Sequence, residues 1–246
     1  SQLVNYQGRA QFEQFTGSLR ALFTTMKDGG YFGVTPIPYF NGRLFDDDYV
    51  PNLPSDIIDQ LAKAARQDWS DIDPSIFGTL FERVIDAGKR AQLGAHYTSQ
   101  DDIMLIVEPV LMEPLRREWD EVRRAADRAI RKDQTNKAND LLATFANKVA
   151  STTVLDPACG SGNFLYVALQ QLLSLQKAVI VHAERNGLNP IPLTAGPQQL
   201  YGIEITPYAH ELAQITIWIG YLQWRAEKGF DLDQRPILQP LGQIEN

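Results

Sequence analysis

The sequence has 246 residues, 44% of them hydrophobic and 22% charged, with a net charge of −7 and a single cysteine. That length allows one large or two small domains, and the lone cysteine excludes an internal disulfide and points to a reducing, cytoplasmic compartment. No uninterrupted apolar run approaches the ~20 residues needed to span a bilayer, no signal-peptide pattern opens the chain, and no third of it is net basic, which argues against a membrane partner and a continuous phosphate-binding surface.

Phe12, Phe15, Leu19, Leu22, Phe23 and Met26 recur at helical spacing, and Gly29-Gly30 ends that helix. Residues 31–54, rich in proline, glycine and aromatics, read as an ordered loop with a short hairpin at Asn41-Gly42. Asp46, Asp47 and Asp48 read as a solvated turn; a metal site would need further ligands, and none can be pointed to. Ser55 is placed to cap a helix over 56–68 that carries Ile57, Ile58, Leu61 and Ala65 on one face. Asp73-Pro74 supplies the cap and first residue of another, with Ile76, Phe77, Leu80, Phe81, Val84 and Ile85, ending at Gly88. A small helical domain over residues 1–93 is expected, with no catalytic constellation in it.

Ser99 can cap the next helix, with Asp101 and Asp102 at its positive end and Pro109 and Pro114 kinking or breaking it. Residues 115–132 hold seven basic and four acidic side chains, which read as a solvated, ion-paired helix; a phosphate-facing edge is the sharper alternative. After a polar break over 133–139, Leu141, Leu142, Phe145 and Val149 form a helix.

Thr153, Val154 and Leu155 read as a short buried strand with Asp156 at its carboxyl end, and Pro157 stops the ladder. Gly160 and Gly162 permit positive φ and close approach of a ligand, and Asn163 reads as the cap of a long apolar helix to about Arg185. Strand, glycine turn and helix N-terminus together make a ligand site at the end of a parallel strand. A proline-rich loop over 186–199 leads to a second strand, Leu200–Ile205, in which Glu204 can accept hydrogen bonds from a ribose. Thr206-Pro207 opens an unusually apolar helix, which reads as covered on more than one side. The polar tail from Gly229 stops before any third acid of this kind. A dinucleotide fingerprint would need a third glycine, and Leu165 stands in its place.

The run Asp156-Pro157-Ala158-Cys159-Gly160-Ser161-Gly162-Asn163-Phe164-Leu165 resembles motif I of S-adenosylmethionine-dependent methyltransferases, in the form seen in amino-methylating DNA methyltransferases, above all the adenine-N6 kind. Gly94-Ala95-His96-Tyr97-Thr98-Ser99 resembles motif X of the same enzymes, with Ser99 where a proline often stands, and the strand ending at Glu204 resembles motif II. The order X, I, II behind a helical domain is similar to the methyltransferase region of bacterial restriction–modification enzymes, especially single-chain fusions of nuclease, spacer, methyltransferase and target-recognition domain. The likeness covers residues 74–246 well and 1–73 loosely.

The resemblance implies an α/β chain: a helical domain, then over residues 94–246 the first half of a Rossmann-like, doubly wound methyltransferase fold. The cofactor would be S-adenosylmethionine and the macromolecular partner double-stranded DNA, contacted mainly through other parts of the enzyme. Tyr97 and Thr98, with Asp156, Pro157, Ala158, Cys159, Gly160, Gly162, Asn163 and Phe164, would hold the methionine end, and Glu204 and Ile205 the ribose end. The family's catalytic Asn- or Asp-Pro-Pro-Tyr or -Phe motif has no counterpart, because the 246 residues contain no adjacent prolines. The chain is therefore expected to be an enzyme fragment, inactive alone, with no catalytic residue and no metal site of its own. The competing readings are an RNA or protein methyltransferase, and a cofactor-binding scaffold without catalysis.

Overall fold

A computed structural model describes residues 9–37, 47–51, 53–67, 72–76, 78 and 98–230. The chain divides into two compact units: one holds the described residues up to Ile72, the other those from Asp73 to Lys228. The domain boundary expected at residue 93 lies outside the described residues, as do the Asn41-Gly42 hairpin, most of the helix after Asp73 and the tail beyond Phe230.

In the first unit, α1 (Arg9–Asp28) is followed at once by β1 (Gly30–Phe32), β2 (Thr35–Ile37) and then α2 (Ser55–Ala64). Gly29, at φ 75°, ends α1 as expected and donates its N–H to Thr25 O at 2.8 Å. The hairpin was not anticipated: Gly33-Val34 forms a two-residue turn directly after β1, and Pro36 is tolerated because, among the described residues, β2 has only β1 beside it. α2 begins at Ser55 itself, with extended Pro54 in the capping position, so Ser55 is not the cap. An apolar groove of about 360 Å³ runs among Phe15, Leu19, Phe23, Val50, Leu53 and Leu61.

The second unit is built around one helix. α3 (Gln100–Val107), a π-helical stretch (Glu108–Met112), α4 (Glu113–Ile130) and α5 (Thr135–Ser151) lead into β3 (Val154–Asp156). The long α6 (Asn163–Arg185) follows, then a 3-10 turn (Pro197–Gln199), β4 (Leu200–Gly202) and α7 (Pro207–Glu227). α6 packs against α3, α5, α7 and both strands of a two-stranded parallel sheet. It is long and apolar enough to cross a membrane by length and composition, but most of it is buried inside this unit.

Several local devices act as the residues suggest. Ser99 Oγ accepts the Asp102 N–H at 3.2 Å and donates to Asp102 Oδ2 at 2.7 Å, which closes the N-terminus of α3. The helical run changes type at both prolines, as expected: Pro109 lies in the first turn of the π-helical stretch and Pro114 in that of α4. α4 is the expected ion-paired helix: Arg116 meets Glu108, Arg117 meets Glu113, Arg123 meets Asp120 and Lys148 of α5 meets Glu118. Under it Trp119 stacks on Phe145, ring centroids 5.5 Å apart. The break before α5 is shorter than expected, because Asp133 adopts φ 55° and reverses the chain almost alone.

Candidate functional site

β3 and β4 are parallel, with Val154 opposite Leu200, Leu155 opposite Tyr201 and Asp156 opposite Gly202. Past the strand ends the pairing continues: Ile203 N–H donates to Asp156 O and Cys159 N–H donates to Ile203 O, both at 3.0 Å. The chain leaving β3 therefore lies beside the chain leaving β4. This brings Asp156 and Glu204, 48 positions apart in the sequence, to one glycine turn.

Each carboxylate organises backbone. Asp156 Oδ1 accepts the Ala158 N–H at 3.0 Å, an Asx turn that bends the chain away from β3. Glu204 Oε2 accepts the Gly160 N–H at 3.0 Å, and Glu204 Oε1 accepts the Thr206 N–H at 2.7 Å. Glu204 does not lie on a strand, as the sequence suggested; β4 stops at Gly202 and the acid is two residues beyond it. The reason is that Ile203 still donates its N–H to Asp156, the last residue of β3, but its carbonyl accepts from Cys159 in the turn beyond, so no regular ladder continues.

Burial, then the nearby Glu204 charge, raise the Asp156 carboxyl above its usual 3.8 against the opposing pull of the Ala158 N–H. Among the described residues no cation is ion-paired to Asp156 or Glu204. Two carboxylates without a counter-charge among the described residues favour a ligand carrying positive charge or several hydrogen-bond donors.

Between them, Cys159 is buried, and burial followed by the charges of Asp156 and Glu204 pushes its thiol up to about 12. It is therefore a neutral packing group rather than a nucleophile. Its Sγ lies against Gly202, where an added Cβ would come within 2.7 Å.

The two glycines of the turn serve different ends. Gly162, at φ 84°, holds the capping position of α6, and a Cβ there would meet the Ala213 backbone of α7 at 3.0 Å. Gly160, at φ 54°, has none of the described residues within 4 Å of its Cβ position. Asn163 is the first residue of α6 and not its cap; its side chain is 8% exposed, and its Oδ1 has no hydrogen-bond partner.

Of the other residues singled out in the sequence, Pro157 and Ala158 are exposed, Phe164 is half-buried and Ile205 is 81% exposed. Thr98 directly precedes the Ser99 cap and makes no hydrogen bond to the glycine turn; Tyr97 lies outside the described residues. Among the described residues no group of three His, Cys, Asp or Glu side chains converges as a metal site. Sequence reasoning passed over Gln199, a buried amide at the start of β4, because nothing in a loop sequence distinguishes a buried glutamine from a solvated one.

Residues 130–245 match the model of the family described as "MmeI, DNA-methyltransferase domain". Over 199 residues the chain is 29% identical to DNA methyltransferase A of Bacillus subtilis (strain 168), an alignment covering 77% of this chain and 20% of that protein. Over 220 residues it is 27% identical to a putative type II restriction enzyme and methyltransferase of Methanocaldococcus jannaschii, covering 76% of this chain and 18% of that one. The chain thus spans about a fifth of the length of these relatives. The solved structure of the Type IIL restriction–modification enzyme MmeI in complex with DNA superimposes with a TM-score of 0.72 at 24% identity, over 98% of this chain and 37% of that one. The resemblance to the methyltransferase region of restriction–modification enzymes holds, and the fold is α/β and methyltransferase-like.

Proposed function

We propose that the turn from Asp156 to Gly162, with Glu204, holds S-adenosylmethionine, and that this chain is the cofactor-binding part of a cytoplasmic restriction–modification DNA methyltransferase directed at adenine N6. The observation that carries the reading is the meeting of Asp156 and Glu204, from the ends of two adjacent parallel strands, at a glycine turn with open space beside Gly160. The succession β3–α6–β4 supports the first half of a doubly wound sheet, with the helices up to Ile72 as the spacer ahead of it.

The residues present fit such a ligand. A carboxylate offers about four lone-pair positions, so Glu204 keeps acceptor capacity for ribose hydroxyls beyond its two backbone bonds. Asp156, Ala158 and Gly160 face the methionine end. When bound, the cofactor supplies an electrophilic methyl group. This chain's residues bind and orient it; the acceptors that aim an exocyclic amine, and the aromatic face for a flipped base, belong to the adjacent-proline motif that the 246 residues do not contain. With a net charge of −7, most phosphate contacts to DNA fall to other parts of the enzyme.

Equilibrium dialysis against labelled S-adenosylmethionine and against a nicotinamide dinucleotide tests the reading. Retention of the first alone, with no methyl transfer to mixed-sequence duplex DNA, is the expected result. Retention of the dinucleotide alone, or methyl transfer by this chain above a Glu204→Ala control, contradicts it.

A further inference from the structure

Gln199 is 2% exposed, and its side-chain amide is turned to backbone groups. Its Nε2 donates to Val149 O at 2.8 Å and Thr152 O at 2.7 Å, and its Oε1 accepts the Gly196 N–H at 2.9 Å. Val149 belongs to the last turn of α5 and Thr152 follows that helix, two residues before β3 begins. Gly196 precedes the 3-10 turn, and the residue after Gln199 is Leu200, which opens β4 opposite Val154. One side chain therefore ties the entry of β3 to the entry of β4. Both strands are only three residues long, too short for their ladder alone to hold register. A slip of one residue would turn Glu204 away from Gly160.

Gln176 provides the contrast. It is fully buried on α6, donates to Ala146 O and Thr194 Oγ1, and accepts from the N–H groups of Thr194 and Ala195. It fastens the same connection one turn earlier on α5, at Ala146, and just ahead of Gly196, without reaching Val149 or Thr152.

We infer that Gln199 is a positioning residue for cofactor binding: it sets the β3–β4 register from the far end of the strands and so places the Glu204 carboxylate at the glycine turn. The inference rests on the proposed cofactor site. It also accounts for how a 44-residue separation between Gly160 and Glu204 yields a 3.0 Å contact.

The test is a double-mutant cycle on the full 246-residue chain, titrating S-adenosylhomocysteine by calorimetry into wild type, Gln199→Met, Glu204→Gln and the double variant. Gln199→Met should weaken binding about tenfold in the wild-type background and less than about twofold where Glu204 is already replaced. Gln176→Met should lower the melting temperature as much while changing affinity less than about threefold. An equal loss in both Glu204 backgrounds, or wild-type affinity in Gln199→Met, overturns the inference while leaving the cofactor site standing. A wild-type chain that does not bind S-adenosylhomocysteine removes the cofactor site itself. Should Gln199→Met not fold, the same cycle runs on Gln199→Asn, whose shorter amide cannot reach both carbonyls; wild-type binding by that variant also overturns the inference.

Discussion

The seam between α6 and α7 and the cleft at the ends of β3 and β4 are built from the same small residues for opposite reasons. In the seam, glycine lets two helices touch: a Cβ on Gly220 would come within 2.1 Å of the ring of Tyr166, and one on Gly162 would press on the Ala213 backbone. At the cleft, Gly160 leaves space that none of the described residues fills. A glycine in the seam is a packing requirement, whereas the glycine at the cleft is one that the proposed function uses, as room for the cofactor.

Gly220→Ala breaks the seam and carries the largest expected effect. The ring of Tyr166 cannot withdraw easily, since Gln170 Nε2 donates to its hydroxyl at 2.7 Å and the residue is buried. Overpacking of this kind costs about 3 kcal/mol or more, and urea denaturation should show it as a lower midpoint with an unchanged slope.

Gly162→Ala and Gly160→Ala, taken together, sharpen the comparison. Both glycines have positive φ, so each alanine carries a left-handed strain of about 1–2 kcal/mol. Gly162→Ala adds the contact with Ala213 and should lose about 2–4 kcal/mol in all. Gly160→Ala should lose only the strain, yet weaken cofactor binding more than about tenfold, because its methyl occupies the open space. Equal stability losses for the two would erase the distinction between seam and cleft.

The smallest effect is a pH dependence. Burial and Glu204 raise Asp156 above its ordinary range, so the folded protein holds this proton more tightly than the unfolded chain does. Ionised Asp156 therefore opposes folding at neutral pH, and that opposition fades as pH falls through the folded value and is gone below the unfolded one. Asp156→Asn keeps an acceptor for Ala158 N–H and should melt at or slightly above the wild-type temperature near pH 7, the difference closing towards about pH 4. A variant that melts well below wild type at neutral pH would contradict this sign.

Much of the site was legible before any coordinates. The run from Asp156 to Leu165 combines an acid at a strand end, a proline that stops the ladder and two spaced glycines, and each constraint is local. The extent of α6 and the start of α7 at Thr206-Pro207 were legible for the same reason, through long apolar runs and, for α7, its capping residue. What was not legible depended on partners distant in sequence. Asn163 looked like a cap, but Gly162 adopts the capping geometry because α7 crosses at Ala213. β4 looked six residues long, but Ile203 is taken over by Asp156 and Cys159. The β1–β2 hairpin was hidden by a proline in its second strand, which sequence rules demote and a two-stranded sheet permits.

The central claim, that Glu204 and the Asp156 turn form one cofactor pocket, is tested most directly by calorimetric titration of S-adenosylhomocysteine into the wild-type chain and Glu204→Ala. Loss of a charged acceptor of this kind costs about 1.5–3 kcal/mol, so affinity should fall about ten- to a hundredfold while α6 and α7 keep the circular dichroism of the wild type. Unchanged affinity in Glu204→Ala would contradict the account.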